Sequence, residues 1–433
     1  MMRIPPLLLN QLVGLIEKSD TIKPAHALNK LTRNHPELGG RDRRFLSNTL
    51  FAIVRHRCRL TQLAPTGIKT HPAEALILSA LRVVSAYPLT DVLALFDAQH
   101  PVWNTQSPEI WDQQWQHAEK TLSAPCRHSI PEWIWQRWCQ QWSEERTTHL
   151  ARALLENAPT TLRVNTLRTT RQHVAQRLQE AGLAVTNGTV SQDALILERV
   201  RHPVLDKIIR DGLAAIQDQG SQLASRLLDP KPNEFVVDFC AGAGGKSLHI
   251  AALMAGRGKL LALDNDPKRL KQAQPRFRAS GTRIIKCQSI RHEGDTKLRQ
   301  FTNKADRVLV DAPCSGSGTL RRDPALKWSI TPEKVEAFHQ RQCALLSAGS
   351  RLVRPNGRLV YVTCSLFERE NRDTVESFLN ENSAFNPIPV HAALNAQGIP
   401  LPEQDSNTPW LTLTPDRHGT DGFFLAAFQR RKR

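Results

Sequence analysis

The spacing of apolar positions changes twice along the chain and divides it into three stretches. Up to about residue 125 the period is helical: Leu7-Leu8-Leu9, Leu12, Leu15 and Ile16 recur on one face, as do Phe45, Leu46, Leu50, Ile53 and Val54. Breaks at Gly39-Gly40, Pro65 to Gly67, Pro72 and Pro88 cut this stretch into short helices. Seven of the nine tryptophans lie between Trp103 and Trp142, and Trp135, Trp138 and Trp142 stripe one helix face, which predicts core packing rather than base stacking. After Pro159 the period falls to two. Thr161-Leu162-Arg163-Val164-Asn165 alternates like a half-buried strand, with Arg163 and Asn165 on one face. A helical segment near Val174 to Leu178 and an apolar one, Ala194 to Leu197, complete a small α/β module. Gln217-Asp218-Gln219-Gly220-Ser221 then opens a helix with Ser221 as its predicted N-cap.

From Asn233 onward the pattern is that of a buried parallel sheet. Phe235 to Phe239, Lys259 to Leu263, Arg283 to Cys287, Arg307 to Asp311 and Arg358 to Thr363 read as strands, mostly short continuous apolar runs. Open α/β sheets bind ligands at the carboxyl ends of their strands, and several chemically useful residues fall there. Cys240-Ala241-Gly242-Ala243-Gly244-Gly245-Lys246 follows the first strand and leads into a helix, so its backbone can approach a ligand closely. Its spacing is too short for a P-loop. Asp264 ends the second strand, where a carboxylate can accept hydrogen bonds from a ribose diol. Pro313 has no amide hydrogen, so the fourth strand should stop at Asp311, next to Cys314. The fifth strand runs into Cys364. A lone cysteine is more simply a packed core residue. Two thiols at the ends of neighbouring strands, about 4.8 Å apart, can instead face one pocket. A strand-end thiol beside a lysine and an amide-rich turn can have a lowered pKa.

Charge narrows the partner. The net charge of +17 with a pI near 9.9 favours a polyanion, and nucleic acid fits better than a membrane because no basic amphipathic anchor stands out. Arg41, Arg43, Arg44, Arg55, Arg57 and Arg59 load one helix with cations, which serve either a phosphate backbone or simply a solvated face. No apolar run is long enough to span a bilayer. Pro5-Pro6 interrupts the first apolar stretch, which also lacks a small-residue cleavage site, so no signal peptide is read. Eight cysteines without a C-x-x-C pair give neither a zinc site nor a disulfide scaffold, and point to a reducing cytoplasm.

Together these motifs resemble the RNA cytosine-C5 methyltransferases: Cys240 to Lys246, Asp264, Asp311-Ala312-Pro313-Cys314 and Thr363-Cys364-Ser365 occur in the family's order. Arg321-Arg322, Lys327-Trp328, Glu370-Asn371 and Asp421-Gly422-Phe423-Phe424 extend the match, and the layout is similar to that of the bacterial branch acting on small-subunit rRNA. Asp42-Arg43-Arg44-Phe45 through Ala52-Ile53-Val54-Arg55 resembles the helical RNA-binding domain of the antitermination factor NusB. The resemblance implies a class I, Rossmann-like α/β methyltransferase domain over residues 229–433, a small α/β RNA-binding module over 126–228 and an all-α NusB-like domain over 1–125. It implies S-adenosylmethionine as cofactor, held by Cys240, Ala241, Gly242, Ala243, Gly244, Gly245, Lys246, Asp264, Ser289 and Asp311.

It also implies that Cys364 attacks C6 of the base, Cys314 assists release, Asp311 bonds the N3 edge and Lys246 helps to hold acid and base. DNA methyltransferases use the cysteine of their Pro-Cys motif instead, so the order of the thiols stays open on sequence logic. Two features depart from the family: Ala241-Gly242-Ala243 replaces Ala-Ala-Pro, and Ser289 stands where an acid often meets the adenine. The expected protein is a cytoplasmic monomer acting on rRNA, without metal; a tRNA methyltransferase and a non-catalytic ribosome assembly factor are the alternatives.

Overall fold

The computed structural model describes residues 6–18, 24–64, 72–93, 108–198, 202–399, 401–402 and 408–432. Trp103 and the break at Pro65 to Gly67 lie outside these residues. The chain forms two compact units, one of residues 1–156 with 322–329, the other of residues 157–321 with 330–433.

The first unit is helical. Helices Pro6–Lys18 and Gly40–Arg55 put Leu12, Leu15, Leu46, Leu50 and Ile53 into one core. Burying each such side chain contributes roughly 1.5–3 kcal/mol, so the apolar stripe outweighs the weak propensity of short helices. Trp135 and Trp138 are buried on helix Glu132–Gln141, and Trp142 is half-buried at its C-cap, so the stripe packs as core. The arginine run divides. Arg41, Arg43 and Arg44 are exposed, whereas Arg55 is buried and donates to the carbonyls of Leu155 and Glu156, and Arg59 pairs with Glu119 at 3.1 Å. Segment 322–329 finishes the end of helix Gly40–Arg55: Lys327 Nζ donates to Arg55 O at 2.6 Å and Trp328 Nε1 to Val54 O at 3.1 Å. These are carbonyls that a helix end leaves without intrahelical partners. Burial, with the nearby Arg55, pulls the Lys327 pKa down to about 7.

The second unit holds two sheets. The smaller is antiparallel, made of β1 (Thr160–Val164), β2 (Val185–Asn187), β3 (Ala194–Leu197) and β4 (Ala214–Ile216) in the order β2-β3-β1-β4. Central β1 is buried along its whole length rather than half-buried as its alternation predicts. Its polar face is sealed because Arg163 donates to the Gln217 side chain and to Gly245 O, while Asn165 donates to Gly212 O and Ser280 O. Helix Gln219–Leu228 also differs from expectation. Asp218 is its N-cap, with extended backbone and a carboxylate accepting from Gly220 N at 2.8 Å, and Ser221 lies inside the first turn. The helix starts before its apolar period does, so the earlier oxygen takes the cap.

The larger sheet contains β5 (Phe235–Asp238), β6 (Lys259–Asp264), β7 (Ile285–Ser289), β8 (Ala305–Asp311), β9 (Val353–Thr363), β10 (Phe385–Ile388), β11 (Leu411–Leu413) and β12 (Phe423–Arg430). Its order is β10-β12-β9-β8-β5-β6-β7, parallel from β9 to β7, with β12 antiparallel to β9 and β11 on β12. Val236, Val237, Leu260 to Leu263, Val308 to Val310 and Leu359 to Val362 are buried, as helices on both faces require. The chain winds outward from β5 to β7 and then returns to β8 on the other side. That reversal opens a crevice at the carboxyl ends, which this Rossmann-like topology uses for ligands. No helix among the described residues is long and apolar enough to cross a membrane.

Candidate active site

A cavity of about 820 Å³ occupies the crevice, lined among others by Cys240 to Ala243, Gly245, Lys246, Asp264, Ile290 to Glu293, Asp311 and Pro313. Its first wall is the turn after β5. Gly244 adopts φ +75°, and a Cβ there would sit 2.3 Å from the Phe277 ring, so both backbone and packing demand glycine. The turn closes through Gly244 N to Ala241 O at 2.8 Å and delivers the amino end of helix Gly245–Leu253 to the cavity. Asp264 is buried and already accepts Gly242 N at 2.7 Å and Asp266 N at 2.8 Å, one on each oxygen. Each oxygen keeps a lone pair for a ligand.

Behind the turn, burial raises the Asp238 carboxyl to about 7 while Ser247 Oγ donates to it at 2.6 Å. Helix Gly245–Leu253 is pinned from its far side by His249, whose Nε2 meets Asp193 at 2.9 Å, and Asp193 also takes Arg226 at 2.6 Å. Burial lowers the His249 pKa to about 4, so a neutral ring donates from Nε2. Ser289 ends β7 opposite Asp264 and outside the cavity lining, and its carbonyl accepts Lys297 Nζ at 3.3 Å.

The thiols lie beside the cavity. β8 and β9 pair in parallel with Asp311 opposite Val362, which brings Cys314 Sγ to 3.3 Å from Cys364 Sγ. Lys246 Nζ bonds Asp311 at 2.6 Å and lies 5.7 Å from the centre of the Phe423 ring. Burial by itself would lower the Lys246 pKa, but Asp311, Asp238 and the Cys364 sulfur overcome it and hold the ammonium charged. Cys314 differs from the lowered thiol that a neighbouring lysine suggests. Its bond to Cys364, its burial and the charge of Glu370 raise it well above the usual thiol range, so it keeps its proton. The Cys240 thiol is likewise held high by burial and by Asp311, Asp238 and Asp264. Thus Cys240 to Ala243, Gly245, Lys246, Asp264 and Asp311 gather around one cavity, and Cys314 and Cys364 meet beside it.

The family model for the 16S rRNA methyltransferases RsmB/F matches residues 225–429, and that for the ferredoxin-like domain of RsmF/B-like methyltransferases matches 130–204. A Synechocystis sp. protein described as a probable ribosomal RNA small subunit methyltransferase B is 30% identical over 437 residues, covering 93% of this chain and 94% of the relative. The chain belongs to the RsmB/F family of rRNA methyltransferases. Among solved structures, a methyltransferase homologue from Pyrococcus horikoshii is 27% identical with a TM-score of 0.58, over 75% of this chain and 100% of that one. NSun6 from Pyrococcus horikoshii, solved with SFG, shares the fold at 19% identity, with a TM-score of 0.59 over 71% of this chain and 100% of that one.

The sequence motifs do not exhaust the site. Arg269, Arg276 and Arg341 also line the cavity, and Arg276 donates to Ala243 O at 2.8 Å. Arg269 and Arg276 are two helical turns apart on helix Pro267–Ala279, a spacing that could have placed them on one face as soon as Asp264 was taken for a ligand.

Proposed function

We propose that this methyltransferase transfers a methyl group from S-adenosylmethionine to C5 of a cytosine in small-subunit rRNA through a cysteine–C6 adduct. The observation that carries the reading is the thiol pair, 3.3 Å apart at the ends of paired strands and beside the Lys246–Asp311 ion pair. The cavity residues fit the cofactor: Asp264 offers acceptors to ribose hydroxyls, the Cys240 to Gly245 turn offers backbone amides, and about 820 Å³ is ample for a small-molecule site. When bound, S-adenosylmethionine supplies an electrophilic methyl group. The protein's task is to make C5 nucleophilic. Cys364 adds as thiolate to C6, which gives C5 enamine character. Asp311, held by Lys246, bonds the N3 edge as it becomes more basic. Cys314 assists release, in which a base takes the C5 proton, its electron pair re-forms the C5–C6 double bond, and the Cys364–C6 bond breaks to return the Cys364 thiolate.

In this reading residues 229–433 perform the chemistry, and residues 1–125, with their NusB-like pattern, and 126–228 hold RNA in the cytoplasm as a monomer. Exposed Arg41, Arg43 and Arg44 and the net charge of +17 support phosphate binding. Incubation with labelled S-adenosylmethionine and total RNA should label small-subunit rRNA, and bisulfite mapping should place the label on a cytosine. Label confined to tRNA, or to another base, would replace this assignment; no label in any RNA would favour an assembly factor.

A further inference from the structure

The residue after each thiol is a serine, and both serines are bonded to one carboxylate. Glu370 is fully buried. It accepts Ser315 N at 2.8 Å, Ser315 Oγ at 2.5 Å and the Ser365 hydroxyl, and Gln342 Nε2 donates to it at 3.1 Å. Two of these four donors are nitrogens that cannot accept, so the arrangement suits the carboxylate form. Burial does raise the Glu370 pKa, and the serine and glutamine hydrogen bonds oppose that rise. The same knot fixes the loops by other routes. Gln342 also donates to Pro313 O at 3.0 Å, Gly318 N to Cys364 O at 2.9 Å, and the Tyr361 hydroxyl to Glu370 O at 2.7 Å. Ser315 and Ser365 lie on loops 50 residues apart in sequence, joined at the Glu370 side chain and also by their own hydroxyls, 3.2 Å apart.

From this geometry we propose that Glu370 is a positioning residue for both thiols: it locks the two cysteine loops in register and so holds Cys314 within proton-transfer distance of Cys364. The β8–β9 ladder alone does not achieve this, because its pairing ends at Asp311 and Val362, before either sulfur. The Glu370 charge also raises the Cys314 thiol and so disfavours a thiolate there. The methyl-transfer consequence rests on the function proposed above; the register itself does not.

The test therefore reads the register by cross-linking as well as by activity. Diamide, a diazene that is reduced to the hydrazine as two thiols lose two electrons and two protons, should join Cys314 to Cys364 rapidly in the native protein, as peptide mapping would show. Glu370→Gln should slow this cross-link at least tenfold and lower kcat by about 10–100-fold, while KM and calorimetric affinity for S-adenosylmethionine stay within twofold. Glu370→Asp, which retains the charge on a shorter arm, should fall between. Should Glu370→Gln fail to bind cofactor at all, the Ser315→Ala/Ser365→Ala double variant, which removes only two hydroxyls, decides by the same two rates. Cross-linking and kcat at native levels in either variant that binds cofactor would overturn the proposal, as would a native protein whose thiols do not cross-link. A normal cross-link difference in a protein that methylates no cytosine would leave the register standing and remove the proposed reaction.

Discussion

The cavity and the thiol pair beside it are built on opposite plans. The cofactor-side wall is backbone: a glycine turn, amides and one strand-end carboxylate, all supplied within a short span from Cys240 to Asp264. The thiol site is mainly side chains: Gln342 and Glu370 reach the Pro313 to Ser315 loop beside Cys364 and tie it by buried hydrogen bonds. A backbone wall can lose one side chain and keep its shape. A wall of interlocked side chains loses both a group and the positions of its neighbours, because buried polar partners left unpaired cost about 1–3 kcal/mol each.

The largest effect should therefore come from the thiols, and it is also the sharpest test of their order. Cys364→Ala should yield neither methylated RNA nor a covalent complex. Cys314→Ala should still attack and methylate but release slowly, so that an RNA–protein adduct accumulates and survives denaturing gel electrophoresis. Exchanged phenotypes would make Cys314 the nucleophile. Normal methylation by both variants would reduce the pair to a structural contact.

The same contrast explains what could be read from the sequence. The strand–glycine turn–helix, Asp264 and both strand-end cysteines were legible because each is a local pattern whose position in a parallel sheet follows from the strand itself. Glu370 was visible as part of a family match but without a role, because its partners Ser315 and Gln342 are 55 and 28 residues away. Arg163 was misread as half-exposed, since alternation along β1 says nothing of what covers its polar face. Arg55 and Arg59 counted toward a basic surface, yet the fold consumes both in local contacts. The Ser221 cap failed more narrowly: two oxygens competed for one helix start, and Asp218 came first.

An intermediate effect is expected on the cofactor wall. Asp264→Ala removes charge-assisted hydrogen bonds typically worth about 1.5–3 kcal/mol, so affinity for S-adenosylmethionine should fall roughly 10–100-fold with RNA affinity nearly intact. Because Asp264 also accepts Gly242 N and Asp266 N, part of that loss should come from a looser turn. Asp264→Asn retains one oxygen acceptor and should recover some of it. Native calorimetric affinity in the alanine variant would remove Asp264 from the cofactor site.

The smallest effect concerns what anchors the backbone wall from behind, and it appears only in acid. His249 is buried against Asp193, Arg163 and Arg226, and its pKa is lowered to about 4 from an unfolded value near 6.5. Between those values the unfolded chain binds a proton that the folded one refuses, so stability falls as pH drops through that window. A shift of this size corresponds to about 3–4 kcal/mol. Asp193, carried down to about 2 by His249 and Arg226 against its burial, loses its own contribution only below about pH 4. His56 and His128, in the helical unit, are held neutral by burial too, with values of about 3 and 4, and soften in the same range. The difference between native protein and His249→Gln isolates the one of interest, since glutamine can still donate to Asp193 but does not titrate. Denaturant midpoints measured from pH 7 to pH 4 should fall less steeply for His249→Gln, and parallel curves would show that the ring is not held neutral behind the glycine turn.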